Sequence, residues 1–351
     1  MQLKPIGRAA TALFLIACLD WSAGVQAVEF GNEVELHGYG SQDYLQADHN
    51  VYLGADNRGT WGDNFLALVG TVTLNDKAKL WAQLETSSGE ATRFTWFFVD
   101  YQLNDTIRFH VGRVKYPLGL YNETIDAKFI QVTSLEPAIY QAAADFVHDA
   151  YTGAGVDYTQ TLGNAGEITW QVYGGNTFDT TTPEDTRDRR AYGGRVTYRT
   201  PVDGLRFMAS GYKTDVEVLT TRAIVSETRV IGSLDFVRGN WDVKSEFAKH
   251  DFLGVTSKGY YGQLGYSIGT RWMPFVRYDH VDADESRSAS DSISQKIFVF
   301  GLNYKLLSNI SLRVEDHLNR GYALPVASGE VPVGQGTRNW NLFVAGVHFM
   351  F

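Results

Sequence analysis

The fold class the sequence predicts is all-β: a transmembrane antiparallel β-barrel of about sixteen strands, its long third loop folded into the lumen. Three observations predict it. Apolar and polar residues alternate over segments about as long as a tilted membrane strand. Tight turns and long polar connections take turns along the chain. Beyond the N-terminal leader, no apolar stretch is long enough for a membrane helix.

The strands are predicted at Val34–Leu45, Asn64–Leu74, Ala78–Thr86, Thr92–Leu103, Thr106–Lys115, Tyr151–Gln160, Glu167–Gly174 and Ala191–Thr200. They continue at Leu205–Lys213, Glu227–Arg238, Trp241–His250, Gly259–Ile268, Arg271–Val281, Ser292–Leu306, Ile310–Leu318 and Asn339–Phe351. Short turns fall at Asn75–Lys77, Asn104–Asp105, Leu162–Gly166, Pro201–Gly204, Gly239–Asn240, Gly269–Thr270 and Leu307–Asn309, rich in residues that tolerate tight bends. Between them lie mostly longer connections at Gln46–Asp63, Ser87–Ala91, Tyr116–Ala150, Gly175–Arg190, Thr214–Ser226, Asp251–Lys258, Asp282–Asp291 and Asn319–Arg338. That order suits a barrel with short turns on one side of a membrane and long loops on the other. A soluble sandwich has no reason to keep it.

Strand faces follow from the period of two. Val230, Gly232, Leu234 and Phe236 are expected to face lipid, opposite Arg229, Ser233 and Asp235. Leu264, Tyr266 and Ile268 share the lipid side. Val276 and Tyr278 oppose Arg277 and Asp279, Leu312 and Val314 oppose Arg313 and Glu315, and Val196 and Tyr198 oppose Arg195 and Arg199. An inward set of both charge signs predicts a water-filled interior, since dry burial of such charges costs several kcal/mol each.

Before the barrel, Lys4 and Arg8, an apolar core from Ala9 to Leu19 and the small-residue exit Gly24-Val25-Gln26-Ala27 make a secretory leader cut after Ala27. The domains are then 1–27, signal peptide, and 28–351, a single barrel. Leu15-Ile16-Ala17-Cys18 also resembles a lipoprotein cleavage box, which would lipidate Cys18. With the Ala27 cut, this only cysteine leaves with the leader and no thiol or disulfide chemistry remains. The whole chain carries 31 Lys+Arg against 40 Asp+Glu, and losing Lys4, Arg8 and Asp20 takes the net charge from −9 to −10. Such a surface is a poor partner for nucleic acid.

The connection after Lys115 is long for one without regular structure, which points to a use. It carries Glu123, Asp126, Lys128, Glu136, Asp145, His148 and Asp149, the candidate constriction residues. Arg195, Arg199, Arg229, Arg277 and Arg313 are the candidate pore-wall residues. Carboxylates facing such arginines would set a transverse field across the narrowest section, favouring small polar solutes. Ser134, Asp145, His148 and Asp149 hold the residue types of a hydrolase site, but no nucleophile elbow accompanies them. Asp145, His148 and Asp149 offer too few oxygens for calcium. No catalytic residue, metal ligand or cofactor is therefore expected.

Two segments resemble known proteins. Phe343, Ala345, Val347, Phe349 and Phe351 alternate up to an aromatic last residue, which resembles the C-terminal β-signal of Gram-negative outer-membrane proteins. The segment Val111 to Glu123, with Gly112, Arg113, Lys115, Pro117, Gly119, Tyr121, Asn122 and Glu123, resembles the passage into the constriction loop in bacterial porins of the broad group that includes the phosphate-selective porins. The resemblance implies a cell outer-membrane location, sixteen strands, passive diffusion of small hydrophilic solutes and ions, and a homotrimer. Implied partners are outer-membrane lipid, lipopolysaccharide and the barrel assembly machinery acting on the strand ending in Phe351. Phosphate selectivity is not implied, because this chain is acidic and its third loop is crowded with acids. The alternative function is a non-channel barrel, an adhesin or structural protein with a plugged lumen.

Overall fold

The alternation resolves into one antiparallel ladder. A computed structural model describes residues 28–30, 33–87, 91–141, 144, 146, 149–178, 186–287 and 289–351. Its strands are β1 (Val28–Phe30), β2 (Val34–Ala47), β3 (Thr60–Asn75), β4 (Ala78–Ser87), β5 (Arg93–Gln102), β6 (Ile107–Lys115), β7 (Ala150–Thr161), β8 (Glu167–Phe178) and β9 (Thr186–Arg199). They continue as β10 (Leu205–Val218), β11 (Ala223–Arg238), β12 (Trp241–Phe252), β13 (Val255–Tyr266), β14 (Trp272–Asp282), β15 (Ser294–Leu307), β16 (Ile310–Arg320) and β17 (Asn339–Met350). Strands β2 to β17 each pair with the next, and β17 returns to pair with β2 through Ala345↔Tyr44 and Met350↔Tyr39. The sheet is thereby closed and has no free edge. Phe351 completes the seam by exchanging two backbone hydrogen bonds with Gly38, each 2.8 Å.

All sixteen predicted strands are present. Several run further than expected at the end carrying the long connections. Strands β10 and β11 stay in register out to Val218↔Ala223, so the expected Thr214–Ser226 loop shrinks to a turn at 219–222. The Asp251–Lys258 connection becomes a two-residue turn at Leu253 and Gly254, both at positive φ, as tight hairpins prefer. Val216, Val218, Ile224 and Val225 explain the extension, because β-branched residues suit a pleated ladder whether or not lipid surrounds it. Short elements not anticipated include β1, which pairs with β2, a helix α1 (Ala323–Ala327) in the 319–338 connection, and single 3-10 turns such as Asn122–Thr124 and Ala138–Tyr140 in the 116–149 connection. The leader and its cleavage site, with Cys18, lie outside the described residues.

The predicted faces hold. Val230, Phe247, Val276, Phe298 and Val314 are exposed on the outer surface, while Arg229, Glu246, Arg277, Val299, Arg313 and Glu315 on the same strands are buried. Part of the expected water-filled interior is taken up by apolar packing. Leu118, Tyr121, Leu135, Ile139 and Tyr140 of the 116–149 connection cluster with inward residues Leu45, Ile231, Ala248, Tyr261, Phe275, Val299, Leu342 and Val344. This side is dry, and its charges are tolerated because ion pairs and loop peptide groups satisfy them. Among the described residues, no helix is long and apolar enough to cross a membrane.

Candidate functional site

The connection between β6 and β7 begins where the ladder must stop. Pro117 has no N–H to donate, and Leu118 N folds back onto Tyr116 O at 2.8 Å. Just upstream, Gly112 has φ +140°, and a Cβ there would lie 2.5 Å from Phe97 O and 2.7 Å from Phe98 Cα. Only glycine allows this close approach in mid-ladder. Gly119 has φ +60°, and its N–H donates to Ser210 Oγ at 2.9 Å. The side-chain amide of Asn122 then donates to Tyr116 O at 2.9 Å and Asp149 O at 3.2 Å, tying the two ends of the connection together. Gly112, Pro117, Gly119 and Asn122 thus shape the loop's start, each for a different local reason.

Inward residues of six strands hold the connection down. The Glu246 carboxylate on β12 accepts from Leu120 N at 2.8 Å, Tyr140 Oη at 2.7 Å, Tyr261 Oη at 2.9 Å and Ser233 Oγ at 2.5 Å. On β14, Arg277 donates to Thr133 Oγ1 at 3.0 Å, Leu135 O at 2.9 Å and Glu136 O at 3.3 Å, while Asp279 accepts from Ala138 N at 3.1 Å. Asn303 on β15 donates to Val132 O at 3.4 Å. On β16, Arg313 donates to the carbonyls of Phe129, Gln131 and Thr133 at 3.0, 2.6 and 2.8 Å, and Ser134 N donates to Glu315. Lys128 lies 3.8 Å from Asp43 on β2, and Gln83 on β4 donates to Asp126 at 2.9 Å. Charged wall groups bonding to otherwise orphaned loop peptides make a buried irregular segment tolerable.

A cavity of about 690 Å³ lies on the other side of the connection, against β4 to β10. Its lining mixes Arg108, Arg195, Arg199 and Arg206 with Asp100 and Asp157. From the connection it meets Pro117, Gly119, Leu120, Glu123 and Thr124. Glu123 reaches Arg195 at 2.5 Å, and the glutamate side chain keeps 44% of its exposure. Asp126 pairs with Lys115, which also lies 3.4 Å from Asp149.

The sequence-derived residues therefore separate. Glu123, Lys115, Arg195 and Arg199 line the cavity, and Asp126 and Asp149 flank Lys115. Lys128 is buried against Asp43. Glu136 meets Arg277 through its carbonyl. Arg113 donates to Phe94 O at 3.0 Å. Asp145 and His148 lie outside the described residues. Arg277 and Arg313 donate to carbonyls of the connection. Arg229, only 1% exposed, pairs with Glu227 at 2.8 Å. Glu246, Asp279 and Glu315 were missed as loop anchors; their inward strand positions were readable, but their loop partners are not encoded in local spacing.

Ser134 has a histidine neighbour after all, in β17. Its Oγ sits 3.0 Å from His348 Nε2, and Asp43 Oδ1 lies 3.2 Å from that same nitrogen. Hydrolytic triads use opposite ring nitrogens and a reachable serine. Here both contacts share one nitrogen and all three residues are fully buried, so the group acts as an anchor. Among the described residues, no cluster of three or more His, Cys, Asp or Glu could hold a metal.

Burial pushes the hydroxyls of Tyr52 and Tyr140 well above their usual value, helped by Glu136 and Glu330 for Tyr52 and by Glu246 for Tyr140. Both remain neutral donors: Tyr52 to Gln141, Tyr140 to Glu246.

No family model matches the sequence, and no curated protein does. Solved structures match over nearly the whole chain. An anion-selective porin from Comamonas acidovorans is similar at TM-score 0.65 and 14% identity, covering 91% of this chain and 99% of that one. OmpF of Salmonella typhi, in complex with daunomycin, matches at TM-score 0.62 and 12% identity, covering 92% and 98%. The outer-membrane channel DcaP of Acinetobacter baumannii matches at TM-score 0.60 and 11% identity, covering 93% and 100%. At such identities the similarity carries the fold alone: this chain is a closed sixteen-strand antiparallel β-barrel, the fold of these three proteins.

Proposed function

We propose that this chain is an outer-membrane porin of a Gram-negative bacterium, a water-filled channel for passive diffusion of small hydrophilic solutes and ions. In this reading the 116–149 connection narrows the lumen, and solutes pass on the β4 to β10 side. The observation that carries it is the cavity lined by charges of both signs and bordered by the Glu123–Arg195 pair. Opposed charges across a narrow section orient water and dipolar solutes and slow apolar ones. Removal of the leader, assembly through the strand ending in Phe351 and a homotrimer complete the proposal, with porins such as that of Comamonas acidovorans as the structural precedent.

Single-channel recording in a planar bilayer tests it. Stepwise insertion with ohmic current is expected from the folded barrel. The dry side of the interior favours a second reading, a plugged barrel working through its outer loops. Folded protein that inserts and stays silent would establish that reading instead.

A further inference from the structure

The wall of the β4 to β10 cavity carries aromatic surface that an aqueous lumen does not require. Trp81 on β4 and Phe98 on β5 are direct cross-strand partners, and both line the cavity and stay partly exposed. Apolar ring area held against water is unfavourable, and a flat apolar surface laid over the pair removes that cost. The pair adjoins a polar arc. Phe98 meets the His110 ring edge-on with centroids 5.9 Å apart, and His110 Nε2 lies 2.9 Å from Asp157. Gln171 donates to Asp157 at 3.1 Å, Arg195 donates to Gln171 at 2.6 Å, and Arg195 pairs with Glu123 of the connection. Aromatic rings and hydrogen-bonding groups thus follow one another from β4 to β9, all lining the same cavity.

The charges of this wall are engaged with one another. Arg108 lies 3.7 Å from Asp100, Lys115 3.4 Å from Asp149, Arg199 2.6 Å from Glu167 and Arg206 2.6 Å from Asp235. Among the described residues the lining holds five Lys or Arg against four Asp or Glu. An anion that binds Arg195 must displace Glu123, and a cation that binds Glu123 must displace Arg195; either exchange leaves the other partner without its bond. A hydroxyl meets no such conflict. It donates to the carboxylate and accepts from the guanidinium, bridging the pair without breaking it. A solute with a flat apolar C–H face and a rim of hydroxyls suits both halves of the wall. A pyranose sugar has that build, whereas a linear polyol has the hydroxyls without the face.

We propose that this cavity is a binding site for neutral pyranose sugars, stacked on Trp81 and Phe98 with their hydroxyls along the arc from Asp157 to Glu123. The assignment names the solute class of the channel, and it rests on that reading only in taking the cavity to be open to water.

The test uses the full folded barrel in a detergent without a sugar headgroup, titrated with maltotriose, mannitol and glutarate and read by ligand-observed NMR. Wild-type protein is expected to bind maltotriose roughly tenfold more tightly than mannitol, and more tightly than glutarate. W81A and F98A are each expected to weaken maltotriose binding roughly tenfold, the scale of one aromatic contact. W81F, which keeps a ring, should retain most of the binding. Equal affinity for maltotriose and mannitol, or wild-type affinity in both alanine variants, overturns the stacking site. Glutarate bound in preference to maltotriose makes the cavity an anion site and overturns the sugar assignment. Should the variants fail to fold, maltotriose compared with mannitol on the wild type decides the matter alone. Bilayer conductance is read separately: a silent barrel that still binds maltotriose keeps this site and removes the channel, and a conducting barrel that does not bind it does the reverse.

Discussion

Glu123 and Arg313 illustrate how two charged residues on the same inner surface take different work. Glu123 keeps substantial exposure and faces the cavity beside Arg195, so its charge acts on whatever occupies the water there. Neutralising it with its neighbour, E123Q/D126N, should lower cation preference. The reversal potential in a salt gradient checks this, and an unmoved potential would take both residues out of the conduction path. Arg313 is buried and satisfies three loop carbonyls. Cutting it back in R313A strands those acceptors and the facing Glu315, at a cost of about 3–5 kcal/mol. The expected outcome is a lower unfolding temperature together with noisier and larger conductance steps. Steps of wild-type size and noise would show that the other anchors suffice.

Among the elements, β17 and the 116–149 connection carry most of the argument. The β17 strand closes the barrel, and Phe351, the residue after it, exchanges two seam hydrogen bonds with Gly38. Deleting Phe351 should therefore slow appearance of the heat-modifiable folded band in refolding gels severalfold, with little change in final strand content by circular dichroism. Refolding at wild-type rate would show that the seam forms without it. The connection depends on neighbours distant in sequence. Tyr140 donates to Glu246, which is 106 positions away, and Ser134 meets His348 across 214. The sequence exposed the loop's start through Gly112, Pro117 and Gly119, because those residues report a local backbone need. Its landing points depend on which strands closure brings opposite, and no local signal encodes that.

For the whole molecule, burial of loop tyrosines links stability to alkaline pH. Tyr52 and Tyr140 have hydroxyls raised above the usual value of about 10. A raised value means that the folded state holds protons which the unfolded chain releases, so this contribution is complete below pH 10 and declines as pH rises above it. Tyrosinate absorbance followed through an alkaline titration should show a group of tyrosines ionising only together with loss of the sheet spectrum. Full, reversible ionisation near pH 10 with the sheet intact would contradict the buried positions. The same packing explains why the interior is not uniformly wet: the connection lays an apolar strip along β11 to β17 and leaves charged walls open on the other side.

By itself the sequence determined the sixteen strands that close the barrel, which residues of each face outward, and where the chain leaves the ladder, because a period of two and turn chemistry are local properties. Only the tertiary structure decided that Arg277 and Arg313 grip a loop while Arg195 and Arg199 border a cavity. All four read alike along their strands. Closing the sheet sets the distance from each to the 116–149 connection, and that distance depends on the whole ring of strands.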